Sequence, residues 1–385
     1  MLIHRVKKGE TVYSIARDYG ISPSKLIEIN GLSSPDMLAI GRELLILIPT
    51  RTYTARRGDT LEEISRRFSV KKSEIIKNNP ALRGSEKIYP EEVFAVKYPE
   101  SRHGIALLSG YYYKGCPRER LSLAMPYLST VIASACVYEK GRLHRLFDAR
   151  EVTEAAREKG KAASLRIYTA EPYSEGAFEK GIIREATEEA KRLGCGSITL
   201  AAAKPVYDDS FADFLFSMKR EILSEGLSLT LETDGNIAKR CADTADLLII
   251  SADDSALTDA KENLNSDGER YRDLASRCDA TVSFIDLSPF AYRKGAPIPI
   301  DEALLYADKT GTEISESEDG MTSKFKKGAD TVTLPSLKNT KAKLDLGSEL
   351  GYLGYCIDIM RCPISHLMML SSLFVLSPDY FSGGM

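Results

Sequence analysis

The sequence predicts an α/β chain in three parts: two small βααβ modules, residues 1–50 and 51–99, and a (β/α)8 barrel over residues 103–385. Three observations carry this expectation. A block at the N-terminus recurs at a fixed interval of 49 residues, from Gly9 to Gly58, Thr11 to Thr60, Ile15 to Ile64 and Asn30 to Asn79. A constant interval over four positions marks two copies of one supersecondary unit. Beyond the short polar hinge Tyr98-Pro99-Glu100-Ser101, apolar runs alternate with amphipathic stretches, and the runs number eight, enough to close a barrel. The alternation alone leaves a doubly wound open sheet as the alternative.

Each module reads strand, helix, helix, strand. The first strand, Ile3–Val6, runs to Gly9, a residue suited to a turn with positive φ. Thr11 and Thr60 have the chemistry of helix N-caps, and Thr60-x-x-Glu63 has capping-box spacing. Val12, Ile15, Ala16 and Tyr19, and in the second copy Leu61, Ile64, Ser65 and Phe68, follow at helical intervals. Ser22-Pro23 opens a second helix, with proline in its first turn. The closing strands are expected at Leu44–Ile48 and Val93–Val96.

In the larger part the candidate strands are Ile105–Tyr112, Thr130–Tyr138, Ala162–Tyr168, Ser197–Ala202, Ser228–Glu232, Leu247–Ser251, Thr281–Leu287 and Tyr352–Ile359. Ala149–Lys159, Ile182–Leu193 and Phe211–Glu225 are expected helices between them. Gly194-Cys195-Gly196 precedes a strand rather than following one, which removes it as a dinucleotide fingerprint.

Composition narrows the function classes. The 385 residues are 43% hydrophobic and 28% charged, ordinary for a globular chain. A net charge of −3 offers no basic field for nucleic acid or anionic lipid. Arg56-Arg57 and Arg66-Arg67 each have acidic residues nearby and read as solvated faces. Met1-Leu2-Ile3-His4 runs straight into charged sequence without the ~7–15-residue apolar core of a signal peptide. The apolar stretch around Leu367–Leu376 is half the ~20 residues of a membrane span. The expectation is a protein made in the cytoplasm, with neither nucleic acid nor membrane as partner. Cysteines 116, 136, 195, 241, 278, 356 and 362 form no C-x-x-C pair and are odd in number. They read as reduced structural thiols, so neither a metal nor a cofactor is expected.

The N-terminal repeat resembles the LysM family. The likeness rests on Gly9-Glu10-Thr11-Val12 and Gly58-Asp59-Thr60-Leu61, on Asn30 and Asn79, and on Ile40-Gly41 and the Ile48-Pro49 ending. LysM modules bind N-acetylglucosamine polymers, peptidoglycan and chitin, in a shallow groove between two loops. The resemblance places that groove at Gly9–Val12 with Asn30, Gly31 and Leu32, and at Gly58–Leu61 with Asn79 and Pro80. It implies that loop backbone groups pair with N-acetyl groups while Val12 or Leu61 touches the methyl. The plainer reading of Thr11, Thr60, Asn30 and Asn79 is as caps and turn residues. The second copy has Tyr89-Pro90-Glu91-Glu92 where the first has Ile40-Gly41.

Residues 104–376 resemble family 18 glycoside hydrolases, and among them the LysM-bearing spore cortex-lytic N-acetylglucosaminidases. Ala342–Leu346 through Glu349–Tyr355 looks like their final helix and strand. Val282–Pro289 with Pro299-Ile300-Asp301-Glu302-Ala303 looks like their seventh strand and the helical insertion after it. In that family a Glu protonates the glycosidic oxygen, and aspartates position the substrate's own N-acetyl group for attack. These acids form D-x-x-D-x-D-x-E on the fourth strand. Here the four positions hold Gly196, Thr199, Ala201 and Ala203. A Met-x-Tyr after the sixth strand is replaced by Ser251-Ala252-Asp253, and the chain contains no Trp to floor a sugar subsite.

The resemblance with these losses implies a barrel that no longer cleaves. Glu171, Glu232, Asp234, Asp253, Asp286 and Asp358 stand near strand ends, where barrel active sites form. Glu232 and Asp358 are the candidates for a relocated acid pair, against the reading of hydrogen-bonded strand-end acids. Three functions follow: a glycan-anchored scaffold, a barrel that still binds chitooligosaccharide, or an N-acetylglucosaminidase with displaced acids. The spore-lytic likeness further implies synthesis in a mother cell, deposition on the spore coat or cortex, and spore-envelope proteins as possible partners.

Overall fold

The computed structural model describes residues 1–100, 103–169, 179–202, 209–233, 243–251, 279–287, 290–318 and 320–377, together with Arg272 and Ala275. The first module is β1 (Leu2–Arg5), α1 (Val12–Asp18), α2 (Pro23–Asn30) and β2 (Glu43–Ile46). β1 and β2 pair antiparallel, Leu2 opposite Ile46 and Arg5 opposite Glu43. Thr11 caps α1 by accepting the Ser14 N–H, and Ser14 returns a bond to the Thr11 backbone. Ser22 caps α2, and Gly31 ends it at φ 58°. The second module repeats the plan in β3 (Arg51–Thr54), α3 (Leu61–Phe68), α4 (Lys72–Asn78) and β4 (Val93–Lys97). Thr60 and Glu63 form the expected capping box.

The barrel begins with β5 (Ile105–Tyr112), α5 (Arg118–Ala124), β6 (Thr130–Glu139) and β7 (Arg142–Arg145). It continues through α6 (Arg150–Glu158), β8 (Ala162–Thr169), α7 (Glu179–Leu193), β9 (Ser197–Ala202), α8 (Asp209–Ser224) and β10 (Ser228–Thr233). Next come β11 (Leu247–Ser251) and β12 (Ser283–Asp286). An insertion then carries β13 (Ala291–Arg293), β14 (Ala296–Ile298), α9 (Ile300–Thr310), β15 (Ser315–Glu316), β16 (Thr322–Lys327) and β17 (Asp330–Pro335). The chain returns through α10 (Leu337–Glu349) and β18 (Gly354–Asp358) to α11 (Ile364–Leu373) and β19 (Val375–Leu376). β5, β6, β8, β9, β10, β11, β12 and β18 pair in parallel around a closed circuit. Closure comes from β5, which bonds β6 on one side and β18 on the other, so the open-sheet alternative falls away.

The insertion differs from expectation. It is an antiparallel five-stranded sheet in the order β14-β13-β17-β16-β15, with α9 its helix, rather than a helical segment. Lys294-Gly295, at φ 52° and 78°, makes the tight turn between β13 and β14. Phe325, Val332 and Leu334 alternate inward to a core shared with α9. The charged lettering of β16, Thr-Ser-Lys-Phe-Lys-Lys, hides a strand in which Thr322, Ser323 and Phe325 are buried and the three lysines exposed.

The modules are docked, not tethered on a hinge. Ile29, Leu45 and Leu47 of the first module join the main barrel core. Arg42 forms a buried ion pair with Asp308 of α9. The Ala39 N–H donates to the same carboxylate at 2.9 Å. Arg5 reaches Glu316 at 2.8 Å and the Ile314 carbonyl at 2.7 Å. Gly41 lies so close to the insertion that a Cβ there would sit 2.0 Å from the Ile314 carbonyl oxygen. The glycine of the Ile40-Gly41 motif is therefore required by docking as well as by its φ of 83°. The second module is held by Lys25 Nζ donating to Asn79 Oδ1 at 2.8 Å, and by the Tyr127 hydroxyl donating to the Lys77 carbonyl at 2.6 Å.

Candidate functional sites: module corners and barrel mouth

The first strand–helix loop of each module is solvent-facing and internally braced. Gly9, Thr11, Gly58 and Thr60 are exposed, with Gly9 at φ 85° and Gly58 at φ 90°. The Glu10 carboxylate accepts the Lys7 N–H at 2.7 Å and meets His4 Nε2 at 2.8 Å. Asp59 accepts the Arg56 N–H at 2.8 Å and the Tyr53 hydroxyl at 2.6 Å. Partial burial works against the Glu10 charge, but the Lys7 N–H and His4 hold its carboxyl below the ordinary range. The Tyr53 hydroxyl does the same for Asp59. Both acids shape the loop, and the Thr11 and Thr60 hydroxyls are engaged with Ser14 and Glu63 in their capping boxes, so the loop meets a ligand chiefly through its exposed surface rather than through free hydroxyls.

The other predicted contacts need correction. Val12 and Leu61 are 0% and 2% exposed and sit in their module cores, so neither presents a methyl surface to a sugar. Leu32 and Pro80 are likewise buried. The Asn30 amide donates to the Leu26 and Leu45 carbonyls at 3.0 and 2.9 Å, and its oxygen accepts the Leu45 N–H at 2.7 Å. Asn79 repeats this with Ile75, Ala95 and the Ala95 N–H at 2.6, 2.9 and 2.9 Å. Each asparagine recurs because it locks the end of a second helix to a closing strand. We expect Asn30→Ala to lower unfolding stability by about 2–4 kcal/mol, since it strands buried partners at β2. Chemical denaturation measures this, and an unchanged midpoint with lost glycan retention would return Asn30 to the binding surface.

Two exposed apolar side chains flanking the first module's loops escaped the sequence reading. Tyr13 is 65% exposed directly after buried Val12, and Met37 is 46% exposed in the segment between α2 and β2. The signal for Tyr13 was present: in the helical pattern of α1 it falls between core positions, where its second-copy counterpart is Glu62. Gly31 is exposed yet close to the barrel, and a Cβ there would lie 2.7 Å from Ile364 Cγ2. Gly31 and Pro80 open on one groove of about 630 Å³ between both modules and α5, with Ile27, Arg83 and Leu123 on its walls.

At the barrel mouth, β9 carries Gly196 at its foot, then Thr199 and Ala201, both buried. Ala203 lies outside the described residues. Thr199 Oγ1 is 2.8 Å from Ser164 Oγ, a contact within the barrel wall. In strand register Ala201 lies between Tyr168 of β8 and Glu232 of β10. Arg166 of β8 crosses this narrow position to Glu232. Its Nε and Nη2 donate to the two carboxylate oxygens at 2.7 and 2.8 Å, and Nη1 donates to Ser134 Oγ at 3.0 Å. Burial alone would lower the Arg166 pKa, but Glu232 more than offsets it, so the guanidinium stays charged. A small residue at 201 leaves room for this bridge.

Asp358 is also engaged. It accepts the Met360 and Arg361 N–H groups at 2.9 and 3.3 Å and faces the Arg361 guanidinium at 3.3 Å. Burial nonetheless pushes its carboxyl above the ordinary range. Glu232 and Asp358 thus stand as hydrogen-bonded strand-end acids rather than a free pair. Asp286 ends β12, while Glu171, Asp234 and Asp253 lie outside the described residues. Burial pushes the Cys116 thiol to about 11 and those of Cys136 and Cys195 to about 12, which leaves them protonated and unreactive at neutral pH. Cys241 and Cys278 lie outside the described residues.

Comparison with known proteins agrees with this division. The LysM domain model matches residues 4–47 and 53–97. An endolysin of Bacillus phage B103 is 28% identical over 99 residues, which is 24% of this chain and 38% of the endolysin. The N-acetylmuramoyl-L-alanine amidase sle1 of Staphylococcus haemolyticus is 36% identical over 78 residues, 17% of this chain and 23% of the amidase. The chain therefore matches well under half the length of these curated relatives. The spore cortex-lytic enzyme SleL of Bacillus megaterium superimposes with a TM-score of 0.76 at 16% identity, covering 98% of this chain and 99% of SleL. A class V chitinase from Nicotiana tobaccum superimposes with a TM-score of 0.59 at 12% identity, covering 69% of this chain and 99% of the chitinase. Residues 4–47 and 53–97 are accordingly two LysM domains, set on a closed parallel barrel with the fold of SleL and the family 18 chitinases.

Proposed function

We propose that this protein binds peptidoglycan or a related N-acetylglucosamine polymer through its LysM domains, and that the barrel carries the domains without cutting the glycan. The observation that carries the second half is the fourth barrel strand. Where family 18 acids would stand it has Thr199 and Ala201, and the Arg166–Glu232 bridge crosses above Ala201. A carboxylate held by two charge-assisted bonds is a poor proton shuttle. The first half is supported by the two domain matches and the exposed loops at Gly9–Thr11 and Gly58–Thr60. Likeness to SleL over nearly the whole chain supports a place at the spore coat or cortex, with spore-envelope proteins as neighbours.

Co-sedimentation of the full chain with insoluble peptidoglycan tests binding. The protein is expected in the pellet at low and physiological salt alike, because net charge contributes little. Tyr13→Ala should reduce retention about three- to tenfold with the fold intact, as an exposed aromatic ring contributes about 0.5–1.5 kcal/mol to an apolar face. Wild-type protein left in the supernatant would refute the reading.

A further inference from the structure

Five side-chain hydroxyls inside the barrel line one cavity, and that of Ser228 is buried with no hydrogen-bond partner among the described residues. They belong to Ser109, Thr130, Ser197, Ser228 and Thr230, and the cavity measures about 520 Å³. It opens at the N-terminal face of the barrel, beside the turns at Gly194 and Gly226, opposite to the end where barrel active sites form. In strand register Ser164, Ser197 and Ser228 lie side by side across β8, β9 and β10, and Thr199 is level with Thr230. Ser164 and Thr199 bond each other. Three adjacent strands therefore present a wall of hydroxyls, and the opposite wall is apolar, with Leu107, Ile249 and Phe284. Apart from Arg157 and Lys161 at the foot of the barrel, the lining carries no charged side chain.

Barrel interiors are ordinarily filled by layers of bulky branched side chains. Ser, Thr and Ala162 leave this one open. A buried hydroxyl without a partner costs about 1–3 kcal/mol, so Ser228 calls for an occupant that bonds it, and the neighbouring hydroxyls offer that occupant further bonds. Water satisfies the hydroxyl wall but finds nothing to bond on the other side. A molecule with a hydroxylated edge and an apolar face matches both walls, and the volume lies in the ~300–1,000 Å³ range of small-ligand sites. We propose that this cavity binds an uncharged, polyhydroxylated molecule of monosaccharide size, entering from the N-terminal face of the barrel. The site is separate from the LysM loops and stands or falls independently of them.

The test uses the full chain with 13C-labelled threonine methyls, titrated in turn with glucose, N-acetylglucosamine, myo-inositol and glycerol. At least one should shift the Thr130, Thr199 and Thr230 methyls saturably at millimolar concentration. Thr230→Val keeps the side-chain shape and removes one hydroxyl, and with Ser228→Ala it should weaken that titration at least tenfold. The remaining threonine methyls report whether each variant keeps its fold. Movement of the Thr11 and Thr60 methyls by N-acetylglucosamine reads the LysM loops separately. The proposal is overturned if none of the four molecules shifts the three barrel methyls, or if both variants titrate like wild type.

Discussion

The chain incubated at high concentration with N-acetylglucosamine oligomers is expected to release no reducing ends. A positioned acid supplies about 10²–10⁴-fold in such a reaction, and the carboxylates that orient the N-acetyl nucleophile add to that. Ala203 stands where the acid belongs and Ala201 where its orienting Asp belongs. Ala203→Glu alone should restore nothing, because the nucleophilic acetyl oxygen would develop charge without a carboxylate to stabilise it. Adding Ala201→Asp would place a third charge beside the Arg166–Glu232 bridge and compete with Glu232 for the guanidinium. We expect at most a trace from the double variant. Clear wild-type turnover that disappears in Glu232→Gln or Asp358→Asn would mean that one of these acids leaves its partners and works, and the non-catalytic reading would be abandoned.

Arg42→Ala should be the most destabilising single change between the parts of the molecule, at about 3–5 kcal/mol, the range for breaking a buried ion pair from one side. Burial pushes Arg42 down and Asp308 up, so each charge is held mainly by the other. Without Arg42, Asp308 keeps only the Ala39 N–H as its cross-domain partner. The sign with pH follows from the raised Asp308 pKa. A raised carboxyl destabilises its ionised form, so stability is lost as pH rises through that pKa and regained as the carboxyl takes up a proton. The difference between Arg42→Ala and wild type should therefore be largest at neutral pH and shrink in acid. Denaturant midpoints across pH measure it, and chymotryptic cleavage at Met37 or Leu38 would report undocking. Equal midpoints for variant and wild type would show that the module is held by its apolar contacts alone.

Much of the fold was legible because each signal was local. Strands such as β5, β6 and β11 are near-continuous apolar runs, as parallel strands covered on both faces tend to be, while β9 and β10 alternate Ser or Thr with Ile or Leu, and all eight lie within a few residues of their expected bounds. Thr11, Thr60 and Ser22 announced the helix starts by their chemistry. What stayed hidden depended on distant partners. Ile29, Leu45 and Leu47 look like module core, and only the assembled structure turns them toward the barrel. Arg166 and Glu232 are separated by 66 positions, and no periodicity links them. Asn30 and Asn79 are ambiguous by type, since an asparagine at a helix end serves a surface turn and a buried lock equally well. Three of the insertion's strands are only two or three residues long, and the lysines of β16 masked its buried positions.

Binding without cleavage is the central claim, and native mass spectrometry of full-length protein held with chitohexaose reads both halves in one sample. The predicted spectrum shows the protein with one or more intact hexamers bound, and the free oligosaccharide still hexameric after prolonged incubation. A spectrum without adducts, or one in which the hexamer has become shorter oligomers, would contradict it.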